Sequence, residues 1–317
     1  MRHLNIMKKH LVTGLLFLLT YAIHAQEKDL LKELTTESGK EYVSNAFKSS
    51  RVINGHSIEM IGAGVLDFRI LHRFGQVNEG IYDMFGLDQA SMRIGFDYGL
   101  KKNLTVGIGR STFKKEFDGF LKYRLVQQSK GENSFPLSLI LVAGSTLTTL
   151  RGFDSVKKSF NSRVSYYYQG IIGRKFNSRL SLQLTPTLIH RNFVEAGDKN
   201  ETFSLGFGGR FKLSKKIAFV CDYFMNMNGY PKEKFENPLS VGIDIETGGH
   251  VFQLHFSNSA GMNERAFITE TTGKWSKGEI RFGFNLSRVF TIKERSVNRQ
   301  SLEISPRSNT IALTPGI

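Results

Sequence analysis

Between Thr202 and Met227 apolar residues recur at every second position, and nothing else in the chain limits its fold so strongly. Phe203, Leu205, Phe207, Phe211 and Leu213 alternate with Ser204, Gly206, Gly208, Arg210 and Lys212. A period of two sends successive side chains to opposite faces of a strand, so this segment has one apolar face and one face of small and charged residues. Ser214-Lys215-Lys216 then leaves room only for a hairpin. The alternation resumes beyond it, with Ile217, Phe219, Cys221, Tyr223, Met225 and Met227 opposite Ala218, Asp222 and Asn226.

The pattern recurs about a dozen times. Besides the opening hairpin it covers residues 64–74, 91–100, 104–109, 116–126, 135–148, 163–176, 180–188, 239–246, 252–257 and 280–287. A soluble sandwich shows alternation too, but so many segments of about ten residues with a small or charged second face predict an all-β fold, an antiparallel transmembrane β-barrel of about 12 strands. The connections sort by parity. Those after the second, sixth, eighth and tenth strands are tight, and those after the first, fifth, seventh, ninth and eleventh are longer, the asymmetry of periplasmic turns and external loops. Both termini are then expected in the periplasm. The short link after the third strand and the long one at 127–134 depart from the rule.

Composition narrows the reading further. Thirty-one glycines against six prolines, with 26 Phe and 10 Tyr, favour many strands with points of relief over helices. The single Cys221 excludes an internal disulfide framework and a Cys-x-x-Cys zinc ribbon. Arg2, Lys8 and Lys9 precede an apolar run at 11–23 that Ala25 closes, which predicts a signal peptide at 1–25 cleaved before Gln26. Loss of those three basic residues takes the net charge from +15 to +12. After the leader we expect a periplasmic N-terminal segment or short plug at 26–56, an outer-membrane barrel at 57–293 and a polar tail at 294–317. A basic exported chain suits an anionic neighbour such as lipopolysaccharide. Nucleic acid is excluded as a partner, because the basic residues are scattered among strands instead of gathered in one patch.

The second face carries the candidate site. Asp67, Arg69, Arg93, Asp97, Asp118, Lys122, Arg124, Arg210, Lys212, Asp222, Asp244, Glu246, His255 and Arg281 share it. Exposing Arg or Lys to lipid at the bilayer midplane would cost roughly 2 to 4 kcal/mol each, so these residues are expected to face the lumen. There they either pair into a filled core or line a water-filled pore. His255 and Ser257 stand two apart on one strand, as in outer-membrane acyl hydrolases, but on the lumen side, away from any acyl chain. His72, His190, His250 and His255 have no metal-ligand spacing, so no metal or other cofactor is expected. Gly107-x-Gly109 and Gly206-x-Gly208 read as curvature relief on the inner face, and Cys221 as an inert lipid-facing thiol.

Several longer runs carry a resemblance. Residues 51–57 (RVINGHS), 64–75 (GVLDFRILHRFG), 85–90 (FGLDQA), 118–123 (DGFLKY), 173–176 (GRKF), 244–256 (DIETGGHVFQLHF), 267–273 (FITETTG) and 278–291 (GEIRFGFNLSRVFT) resemble a Bacteroidota-type outer-membrane β-barrel family known only as a domain of unknown function. The resemblance implies a Gram-negative outer-membrane barrel among outer-membrane lipid and lipopolysaccharide, and supplies no activity. It also implies contact with barrel-assembly machinery, which commonly reads a terminal strand ending in an aromatic; Phe290 offers one. The leading expectation is passive passage of small, preferentially anionic solutes and not an enzyme. A closed structural or partner-docking barrel and a lipid hydrolase built on His255 and Ser257 are the alternatives.

Overall fold

A computed structural model describes residues 39–150, 159–195, 198–228, 233–247 and 250–293. The expected signal peptide, the first part of the N-terminal segment and the tail at 294–317 lie outside the described residues. Twelve strands close into one barrel: β2 (Val65–Gln76), β3 (Ala90–Lys101), β4 (Leu104–Ser111), β5 (Glu116–Val126), β7 (Ser138–Thr148), β8 (Val164–Lys175), β9 (Leu180–Arg191), β10 (Glu201–Lys212), β11 (Ile217–Asn228), β12 (Leu239–Thr247), β13 (His250–Ser257) and β14 (Arg281–Thr291). Each pairs antiparallel with its neighbour in the chain. β14 returns to β2, with Phe290 opposite Leu66 and Leu286 opposite Ile70. Closure leaves no unpaired sheet edge, which is what a strand-built wall in hydrocarbon requires.

Alternation decides which face meets lipid. On β5, Phe117, Leu121, Tyr123 and Leu125 are exposed, whereas Glu116, Asp118, Phe120 and Lys122 between them are buried. On β10, Phe203, Phe207 and Phe211 are exposed and Thr202, Ser204, Gly206 and Arg210 buried. Strand limits differ from the alternating runs by a few residues, as β14 shows by continuing through Thr291 past the run ending at 287. There Arg288 takes a position in line with Phe284 and Leu286, and Val289 one in line with Asn285 and Ser287, so the alternation lapses while the pairing with β2 goes on.

Two-residue strands β1 (Glu41–Tyr42) and β6 (Ser129–Lys130) pair outside the barrel. β6 lies in the link from β5 to β7, so that link is long for a turn because it carries a partner for the N-terminal segment. The tight turns share one mouth with both ends of the described chain, where Ile292 N–H donates to Gly64 O (2.8 Å). The longer links share the other. The last of these, between β13 and β14, spans 258–280 and contains helix α1 (Glu264–Thr269), begun by Asn263, whose side chain accepts from Ala266 N–H (2.9 Å).

Two segments fold into the barrel instead of away from it. Residues 46–58 enter from the turn mouth, and 258–271 from the loop mouth; almost every residue of both is buried. Ala46, Phe47, Val52, Ile53 and Ile58 from the first and Phe267 and Ile268 from the second join Ile140, Val142, Tyr167, Ile171 and Ile189 of the wall in one apolar cluster. The barrel therefore has a packed interior, and the boundary expected between 56 and 57 falls inside the first insert. That insert has no strand period, so the sequence left open whether 26–56 is a periplasmic segment or a short plug; residues 46–56 lie inside the wall.

Candidate functional site

The first insert is a hairpin whose tip is Arg51-Val52-Ile53-Asn54-Gly55-His56. Arg51 and His56 form an antiparallel bridge, and Val52 N–H donates to Gly55 O (2.8 Å). Asn-Gly is the pair such a tight reversal favours. Here glycine is also demanded by the wall: a Cβ at Gly55 would lie 2.7 Å from Phe224 Cζ.

A hairpin tip away from water must have its backbone groups answered by something else. The barrel wall answers them. Asp222 Oδ2 accepts from Ile53 N–H (3.3 Å), Asn54 N–H (2.7 Å) and Gly55 N–H (3.1 Å). Gln253 Nε2 donates to Val52 O (2.6 Å), Asn285 Nδ2 to Ile53 O (3.2 Å) and Gln183 Nε2 to His56 O (2.7 Å). Lys122 Nζ donates to Ser50 O (3.1 Å) and Glu59 O (2.6 Å). Arg73 Nη2 donates to Asn54 Oδ1 (2.6 Å), and Asn54 Nδ2 to Ser240 Oγ (2.7 Å).

The second insert meets the first near the middle of the lumen. Arg51 Nη1 lies 2.7 Å from Glu264 Oε1, and His56 Nε2 lies 3.2 Å from the same oxygen. All three side chains are sealed from solvent. Burial disfavours the Arg51 charge, yet Glu264 and then Asp97 hold it, and its pKa rises above the ordinary arginine value. Burial and then the charge of Arg51 push the His56 imidazole well below its ordinary range. Toward the loop mouth Arg265 bonds Glu116 of β5 and also Glu270 (2.6 Å), and Lys114 reaches Glu270 at 2.7 Å. Burial works against the Glu270 charge, but Arg265 and Lys114 hold its carboxyl down at about 2.

Of the fourteen residues placed on the second face, Asp67, Arg69, Arg93, Asp97, Asp118, Lys122, Arg210, Asp222, Asp244 and His255 are buried. Several contact the inserts, and others pair with one another. Arg93 grips Asp118 through two parallel bonds (2.8 and 2.5 Å), and Arg69 bonds Asp67 (3.1 Å) and Ser49 (2.8 Å). Arg124, Lys212, Glu246 and Arg281 are half-buried toward the rims. Glu246 takes Lys48 of the first insert (2.9 Å) and Arg210 (3.1 Å), and Arg281 donates to Phe74 O (3.2 Å). The inner-face glycines make room for side chains more than they relieve curvature: a Cβ at Gly206 would lie 2.5 Å from Phe224 Cε1, and one at Gly208 2.8 Å from Gln183 Cγ.

His255 and Ser257 are both buried and bond elsewhere. His255 Nε2 accepts from Arg73 Nε (3.1 Å), and Ser257 Oγ accepts from Ser240 Oγ (2.9 Å). Neither is joined to the other by a hydrogen bond among the described residues, so the imidazole is not poised to take the hydroxyl proton. His72 stacks on Phe284 (4.8 Å), a face away from His255.

Reasoning from the sequence missed Arg73, Glu116 and Glu264. Arg73 shares the parity of Asp67 and Arg69, and Glu116 that of Asp118, so both were legible. Glu264 sits in a link without periodicity, where nothing marks it.

Residues 47–290 match the family described as "Membrane bound beta barrel domain (DUF5777)". No curated protein matches the chain. Among solved structures the chain is similar to the NanC porin at 8% identity, over 71% of this chain and 98% of that one, with a TM-score of 0.44. It is similar to LpxR from Salmonella typhimurium at 10% identity, over 71% and 99%, with a TM-score of 0.31. Similarity to the translocator domain of the autotransporter NalP from Neisseria meningitidis is 12% identity over 73% and 89%, with a TM-score of 0.33. With its closed twelve-strand wall and a family match over most of its length, this chain belongs to the DUF5777 family of membrane-bound β-barrel domains.

Proposed function

We propose that the protein is an outer-membrane barrel held shut at rest by its own two inserts, and that it passes small solutes only when an insert withdraws. One observation carries this reading: both ends of the 46–58 hairpin lie at the turn mouth, so it can leave the lumen without threading, and polar wall groups hold it. The turn mouth would face the periplasm and the loop mouth the outside.

The wall itself would give an opened lumen little preference by charge. Its buried residues include six basic (Arg69, Arg73, Arg93, Lys122, Arg191, Arg210) and six acidic ones (Asp67, Asp97, Glu116, Asp118, Asp222, Asp244). Any anion preference would then come from the basic excess at the mouths, acting within a Debye length of ~8 Å at physiological salt and fading as salt rises.

Planar-bilayer recording tests the proposal. The unmodified protein should be silent, and Asp222→Asn combined with Glu264→Ala should give stepwise conductance. Silence in both would favour the closed structural or docking barrel.

A further inference from the structure

Strand β9 carries a proline at its middle. Pro186 pairs with Leu205 on the β10 side. On the β8 side the ladder runs from Ser165–Arg191 to Gln169–Thr187 and resumes only at Ile172–Leu184. The two pairs left out, Gly170 with Pro186 and Ile171 with Thr185, are those that need an N–H on residue 186 donating to the Gly170 carbonyl. Proline has none. A backbone carbonyl deprived of its ladder donor is costly in hydrocarbon. Gly170 also sits near half-height of the wall, midway along Val164–Lys175.

On the outer surface this seam floors a depression of about 460 Å³. Leu121, Tyr168 and Phe203 stand around a floor of Ala143, Gly170 and Pro186, and no charged residue lines it. A Cβ placed on Gly170 would meet nothing nearer than Pro186 Cγ at 3.8 Å, so the space above the seam is open.

We propose that this depression binds one acyl chain of a membrane lipid. It faces the hydrocarbon, and its volume lies within the range of ligand pockets. It has no charge with which to hold a head group, so the chain is the part recognised. A chain lying in it fills the space that Ala143, Gly170 and Pro186 leave in the wall and gains dispersion contact with Leu121, Tyr168 and Phe203. A second copy of the protein would have to fill it with a side chain of its own wall, an outcome that the test separates from lipid.

Native mass spectrometry on the full chain, extracted in mild detergent and titrated with phosphatidylethanolamine, tests the site. The unmodified protein should retain one lipid. Gly170→Leu, which fills the depression from its floor, should weaken retention about tenfold, and Phe219→Leu on a distant part of the wall should leave it unchanged. Ala143→Leu provides a second filling variant should the first fail to fold. Equal retention by filled and unfilled proteins, no retained lipid in the unmodified protein, or a dimer that filling abolishes would each overturn the proposal.

Discussion

Arg51 and Glu264 show why a buried ion pair is judged by what remains when half of it goes. Both are sealed from solvent at 2.7 Å, one from each insert. Removing one partner strands the other charge and should cost about 3 to 5 kcal/mol, whereas replacing both with apolar residues of similar size costs little. We therefore expect Glu264→Leu alone to lower the urea midpoint in detergent far more than Arg51→Met with Glu264→Leu; equal losses would show that the pair is not coupled. Asp222 offers a second case. Three backbone donors converge on one carboxylate oxygen, and hydrogen bonds to a charged group are worth about 1.5 to 3 kcal/mol each. Asp222→Asn keeps the shape and removes the charge, so it should loosen the hairpin while the wall still closes, read as faster protease cleavage between 46 and 58.

At the scale of elements, the wall was legible because lipid on one side and a packed, polar interior on the other impose a period of two on every strand. The inserts were legible only in part: a short plug was one of two readings of 26–56, and nothing but a run resembling a family marked the second insert, because a segment surrounded on all sides needs no period. The runs at 51–57 and 267–271 fall in the two inserts. Long polar side chains at Gln183, Gln253 and Asn285 do signal that something inside needs partners, but they do not say what. The inserts also set the response to acid. His56 has a pKa below its free value when inserted, so a withdrawn hairpin takes up a proton that the inserted one does not, and insertion weakens as pH falls below ~6.5. Glu270, held at about 2, contributes stability above the ordinary glutamate range that is lost as pH falls toward 2. Both signs agree. Between pH 7.5 and pH 5 the unmodified protein should therefore lose more of its urea midpoint than His56→Gln, which has no imidazole to protonate; the same pH profile in both contradicts this.

For the molecule as a whole, two levels of closure are at stake. Strand pairing from β14 back to β2 closes the wall, so unheated and boiled samples should migrate differently in denaturing gels. The inserts close the lumen, and this is the claim on which the functional reading stands. Ile53, at the hairpin tip, is 0% exposed. In a Cys221→Ser background, Ile53→Cys should resist a membrane-impermeant maleimide while the barrel is folded and react once it is unfolded, with Lys101→Cys at the exposed turn reacting throughout. Labelling of residue 53 in the folded barrel as fast as residue 101 would show that the lumen is open to water and the inserts are not seated.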